Sequence, residues 1–134
     1  MTIVTVLRNR FPQISNEISS RIVDVVNDTC STITQDVQDG MAFAHSGRIY
    51  GNHQASAPGE MPAIDLSNLV NSIQIEPATV ASPTGFVYTN VEYSVHLEYG
   101  APAGNLAPRP FFTPTAEANR EPFIAALRRA LNDL

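Results

Sequence analysis

The sequence predicts an α+β domain: a long N-terminal helix packed on a small antiparallel sheet, with short helices and a C-terminal helix. Three observations predict it. Between residues 13 and 39, Ile14, Ile18, Ile22, Val25, Thr29, Ile33 and Val37 recur at steps of three and four, which lines them along one helix face. Downstream, residues 72–76 alternate apolar and polar side chains and residues 85–90 are rich in β-formers, with Pro83-Thr84-Gly85 as turn material between them. Beyond these, Phe112, Ala116, Phe123, Leu127 and Leu131 draw a second helical stripe.

Taken in order, residues 1–12 mix Ile3, Val4, Val6 and Leu7 with threonines and end at Phe11-Pro12, fitting a short strand or an arm that orders on contact. The long helix meets no proline or glycine until Gly40, read as its C-terminal stop. At 1.5 Å per residue it is a rod of roughly 40 Å. Its β-branched content gives modest intrinsic propensity, so packing must hold it. Residues 41–45 either fray from its end or open a strand. Segment 46–64 is so punctuated by glycine and proline that no regular element is expected through its middle. It nonetheless carries Ile49, Tyr50, Met61 and Ile64, which makes it a shaped loop rather than a linker. Asp65 or Ser67 can cap a short helix reaching Asn71, and Asn90 a second one with Tyr93, Val95, Leu97 and Tyr99, ended by Gly100. A second proline-rich loop spans 100–112. Thr113 then caps the last helix, with Pro114 in its first turn and Pro122 in its interior, where a continuous but bent helix is expected.

The chain has 134 residues, 43% hydrophobic and 16% charged, which suits one globular domain over 1–134 with a core of its own. No apolar run approaches the roughly 20 residues that cross a bilayer, so no membrane partner is expected. Arg8 and Arg10 are not followed by an apolar core, so a secretory leader is not expected either. Cys30 is the single cysteine and falls at helical spacing, as a small buried hydrophobe does. The net charge is −5, and all eight basic residues are arginine. That balance disfavours sequence-independent grip on nucleic acid, yet suits a surface past which DNA slides without sticking. Arginine without lysine favours planar contacts to carboxylates and aromatic rings.

No constellation for catalysis, cofactor binding or metal ligation emerges. His45, His53 and His96 match no ligand spacing, and Cys30 lies near none of them in sequence. No serine sits in a nucleophile elbow, and Ala57-Pro58-Gly59-Glu60 lacks the lysine and glycines of a phosphate loop. His53 and Glu60 are read as having no partners. Glu92 and Glu98 lie six apart on a short helix and point in different directions. Interface-type residues remain: Arg48, Tyr50, Tyr88, Tyr93, Tyr99, Arg109, Phe111 and Phe112. Tyr88 and Tyr93 are expected to pack under the long helix. Arg109, stiffened by Pro108 and Pro110, is either a structural or intersubunit ion-pair partner or a free surface arginine.

Three blocks resemble the tail-component family of long-tailed phages, typified by gene product ten of a lambda-like coliphage. The first is Ser46-Gly-Arg-x-Tyr50 with His53-x-Ala-Ser-Ala-Pro-Gly-Glu-x-Pro-Ala-x-Asp65. The second is Asp65-Leu-Ser-Asn-Leu69 with Ser72-Ile73, where Leu66-Ser67 replaces the family's Thr-Gly. The third, and most specific, is Tyr88-Thr-Asn-Val-Glu-Tyr93, then Leu97-Glu-Tyr-Gly100 and Ala107-Pro-Arg-Pro-Phe111. The resemblance implies a non-enzymatic virion protein of the head–tail junction, made in the host cytoplasm, forming a ring of six or twelve copies around the DNA channel. Its implied partners are the connector or adaptor on one side and the tail tube or terminator on the other, with DNA passing unbound. Arg48, Tyr50, Glu98, Tyr99, Arg109 and Phe111 are the expected subunit contacts, and segments 46–64 and 100–112 the docking loops. The alternative is a small non-catalytic binding or regulatory module acting as a monomer or dimer.

Overall fold

Helix α1 runs Phe11–Ala42, with Pro12 in its first turn, where a missing N–H costs nothing. The computed structural model describes residues 10–42, 45–47, 49–62 and 68–133, so most of the expected arm, and the Asp65 and Ser67 caps, lie outside the described residues. The helix passes through Gly40 instead of stopping there. A Cβ at Gly40 would fall against the end of the Met61 side chain, so the glycine lets that side chain lie close to the helix.

The other long helix, α4, runs Phe112–Asn132 and lies along α1 in the most extensive contact of the fold. It continues through Pro122 as expected. The pair is antiparallel: near the start of α1, Arg21 Nη1 donates to the Ala130 carbonyl at 2.9 Å, and Arg21 Nη2 to Glu17 Oε1 at 2.8 Å. Midway, buried Asn119 donates to Asp36 Oδ2 at 3.0 Å and to the Thr115 carbonyl at 2.9 Å.

The sheet is an antiparallel pair, β3 (Gln74–Glu76) and β4 (Phe86–Tyr88), registered Gln74–Tyr88, Ile75–Val87 and Glu76–Phe86. The two-residue alternation turns Ile75 and Val87 inward and leaves Phe86 and Tyr88 outside. The sheet therefore packs on α1 through one face only. Two devices fasten it. The Asn27 side chain donates to the Ala78 carbonyl at 3.2 Å and accepts from the Ala78 N–H at 2.8 Å. At Gly85 a Cβ would meet Cys30 Sγ at 2.7 Å, so glycine permits the close approach. The turn between the strands is closed by Thr79 and Ser82, which exchange backbone hydrogen bonds of 2.8 and 3.1 Å, upstream of the expected Pro83-Thr84-Gly85.

Among the described residues four short elements complete the fold: a minimal hairpin of β1 (Ile49–Tyr50) and β2 (His53–Gln54), helix α2 (Asn68–Asn71), helix α3 (Ser94–Tyr99) and a 3-10 turn at Pro102–Gly104. The hairpin was not expected; it turns at Gly51, whose φ of +61° suits a tight connection. Helix α3 begins at Ser94 without the side-chain cap expected from Asn90. The core cluster is Val37, Met41, Leu69, Ile73 and Phe111, at the C-terminal end of α1. Tyr88 and Tyr93 stay outside it: both are exposed, and Tyr88 Oη donates to Gln74 Oε1 at 3.0 Å.

Candidate functional site

Two carboxylates organise the loops at the core end of the molecule. Pro58 and Gly59 occupy the middle of a turn closed by the Glu60 N–H on the Ala57 carbonyl at 3.1 Å. Gly59 has φ +86°, which this type of turn requires at its third position. The turn aims Glu60 back at the loop entrance. Its carboxylate accepts the Ser46 hydroxyl and N–H (the latter at 3.1 Å) and the Ala57 N–H at 2.9 Å. The Ser46 hydroxyl, followed by the Ala57 and Ser46 N–H groups, pulls its pKa down to about 2. His45 stands beside it, with Nδ1 3.6 Å from Oε2 and Nε2 3.0 Å from the Met41 carbonyl. The expectation that Glu60 lacks partners is therefore corrected: it is the clasp of the first loop. Ser46 lies 14 residues away, and no local motif announces a bond of that span.

Glu98 does the same for the second loop. It projects inward from α3, 7% exposed, and meets the first N–H groups of α4, which have no partner within the helix. Oε2 accepts from Phe111 at 2.8 Å and Phe112 at 3.0 Å, and Oε1 from Thr113 at 2.7 Å. Burial pushes its pKa up, but the hydrogen bonds from Thr113, Phe111 and Phe112 outweigh it and hold the carboxyl below its ordinary range. The helix start expected to be capped by Thr113 is capped instead from another element.

The two loops are bonded to each other. The Gly59 N–H donates to the Pro108 carbonyl at 2.8 Å, and Arg109 Nε to the Ser56 carbonyl at 3.3 Å. Arg109 also donates through Nη1 to the Ala107 carbonyl at 3.3 Å, and its N–H reaches the Leu97 carbonyl at 2.6 Å. It is thus an internal brace bonded to carbonyls, with no carboxylate beside it among the described residues, rather than a free surface arginine. Gly100 sharpens the bend before this loop, with φ +83° and ψ 168°, a conformation essentially reserved for glycine.

Among the expected contact residues, the structure brings Glu98, Arg109 and Phe111 together, as fasteners rather than as a surface. Phe111 is 1% exposed, inside the core and 4.6 Å from the Phe112 ring centre, so the expected subunit contact is corrected to a core anchor. Glu98 is likewise spent on backbone. Tyr99, 73% exposed, keeps the surface position expected of it. Arg48 and the Tyr50 side chain lie outside the described residues.

Chemically, both carboxylates are held ionised and saturated with donors, which suits rigidity better than proton transfer. Among the described residues, no three His, Cys, Asp or Glu side chains converge as a metal-holding group, and no helix is long and apolar enough to cross a membrane. Two open clefts flank the line where α1 meets α4, of about 200 and about 340 Å³, both lined by Thr29, Asn119 and Phe123. Compared with protein-family profiles, with curated proteins and with solved structures, the chain matches none.

Proposed function

We propose that the chain is a non-catalytic structural protein of the phage head–tail junction, acting in a ring around the DNA channel. In that ring it joins the connector to the tail tube or terminator. The reading rests on the three-block resemblance. One observation carries it further: the first and third blocks, distant in sequence, are hydrogen-bonded into one platform through Gly59–Pro108 and Arg109–Ser56. A docking surface needs its loops held before the partner arrives, because ordering them on contact would cost affinity. Glu60 and Glu98 supply that hold from within, leaving the outer edges of the loops for neighbours.

The charge pattern supports the same reading. Helix α1 carries Glu17, Asp24, Asp28, Asp36 and Asp39 against Arg21 alone. A ring presenting such a surface to its bore would let a polyanion pass. A reconstruction of the neck of a virion encoding this chain tests the proposal. The expected result is a ring whose repeating density fits the α1–α4 pair with the joined loops at one end. A fully traced neck and tail without this fold would overturn it.

A further inference from the structure

The end of α1 meets the first loop at His45, whose side chain is only 8% exposed. Its ring lies within reach of two acceptors. The Met41 carbonyl stands 3.0 Å from Nε2, and the Glu60 carboxylate 3.6 Å from Nδ1. Met41 belongs to the last turn of α1, where carbonyls have no partner within the helix. A carbonyl only accepts, so the Nε2 contact requires a proton on that nitrogen, and a neutral imidazole carries just one. The neutral ring therefore turns a bare Nδ1 lone pair toward the carboxylate. The imidazolium carries protons on both nitrogens and matches both acceptors.

The carboxylate is the constant half of this pair. The Ser46 hydroxyl, with the Ala57 and Ser46 N–H groups, holds the Glu60 pKa at about 2, so its charge persists wherever an imidazole changes its own. Charged groups on the surrounding elements are engaged elsewhere. Asp39 of α1 accepts from Gln35 Nε2 at 2.7 Å, and Arg109 of the second loop is bonded to the Ser56 and Ala107 carbonyls. Glu98 is bonded to the start of α4. His53 lies across the β1–β2 hairpin from Tyr50.

We propose that His45 is a proton-operated latch between the end of α1 and the first loop: its imidazolium fastens Glu60 to the helix, and its neutral form gives up that hold. Glu60 closes the first loop, and Gly59 joins that loop to the second at Pro108, so protonation tightens both together. A closed loop offers the proton a carboxylate that an opened loop withdraws. Closure therefore strengthens as pH falls through the range in which an imidazole gains its charge. The latch sets how firmly the loops are held, whatever they dock against, and does not depend on a ring.

Amide hydrogen exchange followed by NMR, corrected for the intrinsic pH dependence of exchange, tests it. The probes are Gly47, Ala57 and Gly59, whose N–H groups bond the Ala55 carbonyl, Glu60 and the Pro108 carbonyl. From about pH 8 to about pH 5.5 their protection should rise about two- to fivefold, the range of a partly exposed ion pair. In His45→Gln, which keeps a donor for Met41 but does not titrate, the rise should vanish; in His53→Gln it should persist. Ring nitrogen shifts of the wild type read the proton without any variant: at about pH 8 it should sit on Nε2 of His45. Protection in the wild type that ignores pH would overturn the latch, as would a rise that survives in His45→Gln or is lost in His53→Gln. A neutral ring protonated on Nδ1 would overturn it equally.

Discussion

Glu98 and Glu60 are carboxylates with little freedom, and each fastens backbone N–H groups of a loop. Glu98 sits where three backbone N–H groups of α4 would otherwise be buried without an acceptor. Glu98→Ala should therefore lower stability by about 2–3 kcal/mol, and Glu98→Gln, which keeps an oxygen but loses the charge, by about 1 kcal/mol. Urea unfolding at neutral pH measures both; a loss below about 0.5 kcal/mol for the alanine variant contradicts the clasp. Glu60 makes a pH prediction. Its folded pKa, about 2, lies below the ordinary 4.5, so the folded state favours the ionised form. That contribution is complete above the ordinary value and disappears as pH falls from 4.5 towards about 2. Melting temperature followed over that window should fall less steeply in Glu60→Gln than in wild type. Parallel curves would show that the Ser46 and Ala57 bonds do not hold the carboxylate in its charged form.

The long helices were legible because their signal repeats: seven apolar or half-apolar positions mark α1, and Phe123, Leu127 and Leu131 mark α4. The β3–β4 pair was legible from alternation over only a few residues, helped by turn chemistry. What escaped depends on contacts between distant positions. Two-residue strands such as β1 and β2 carry too few side chains for any period to show. Glu98 reads locally as a surface residue of a short helix, and its role appears only when α4 starts 14 residues later in the chain and beside it in space. Gly40 looked like a stop because helix propensity disfavours glycine by about 1 kcal/mol, but α1 runs on to Ala42, with the Met61 side chain lying against the glycine. Pro122 is the remaining strain on an element. It offers no N–H to the Ala118 carbonyl inside a helix that continues around it. Pro122→Ala should raise stability by about 1–2 kcal/mol, after allowing for the stiffness proline gives the unfolded chain. A thermal melt checks this, and a lower melting temperature would contradict a helix unbroken at that point.

On the scale of the whole molecule, burial is uneven. The buried residues of α1 are Cys30, Val37 and Met41, and those of α4 are Thr115 and Asn119, so the far half of the helical pair holds none. That half presents Phe11, Ile14 and Leu131 to solvent, while the other end presents aromatics around a rigid pair of loops. A body firm at its loop end and apolar on its surface at both ends is suited to being one wedge in a larger assembly, where neighbours cover what the fold leaves open. The central claim is that this assembly joins head to tail, and electron microscopy of particles produced without the chain addresses it most directly. The account predicts filled or leaking heads and separate tails, with infectivity restored when the chain is supplied in trans. Normal, fully joined and infectious particles made without it would contradict the account.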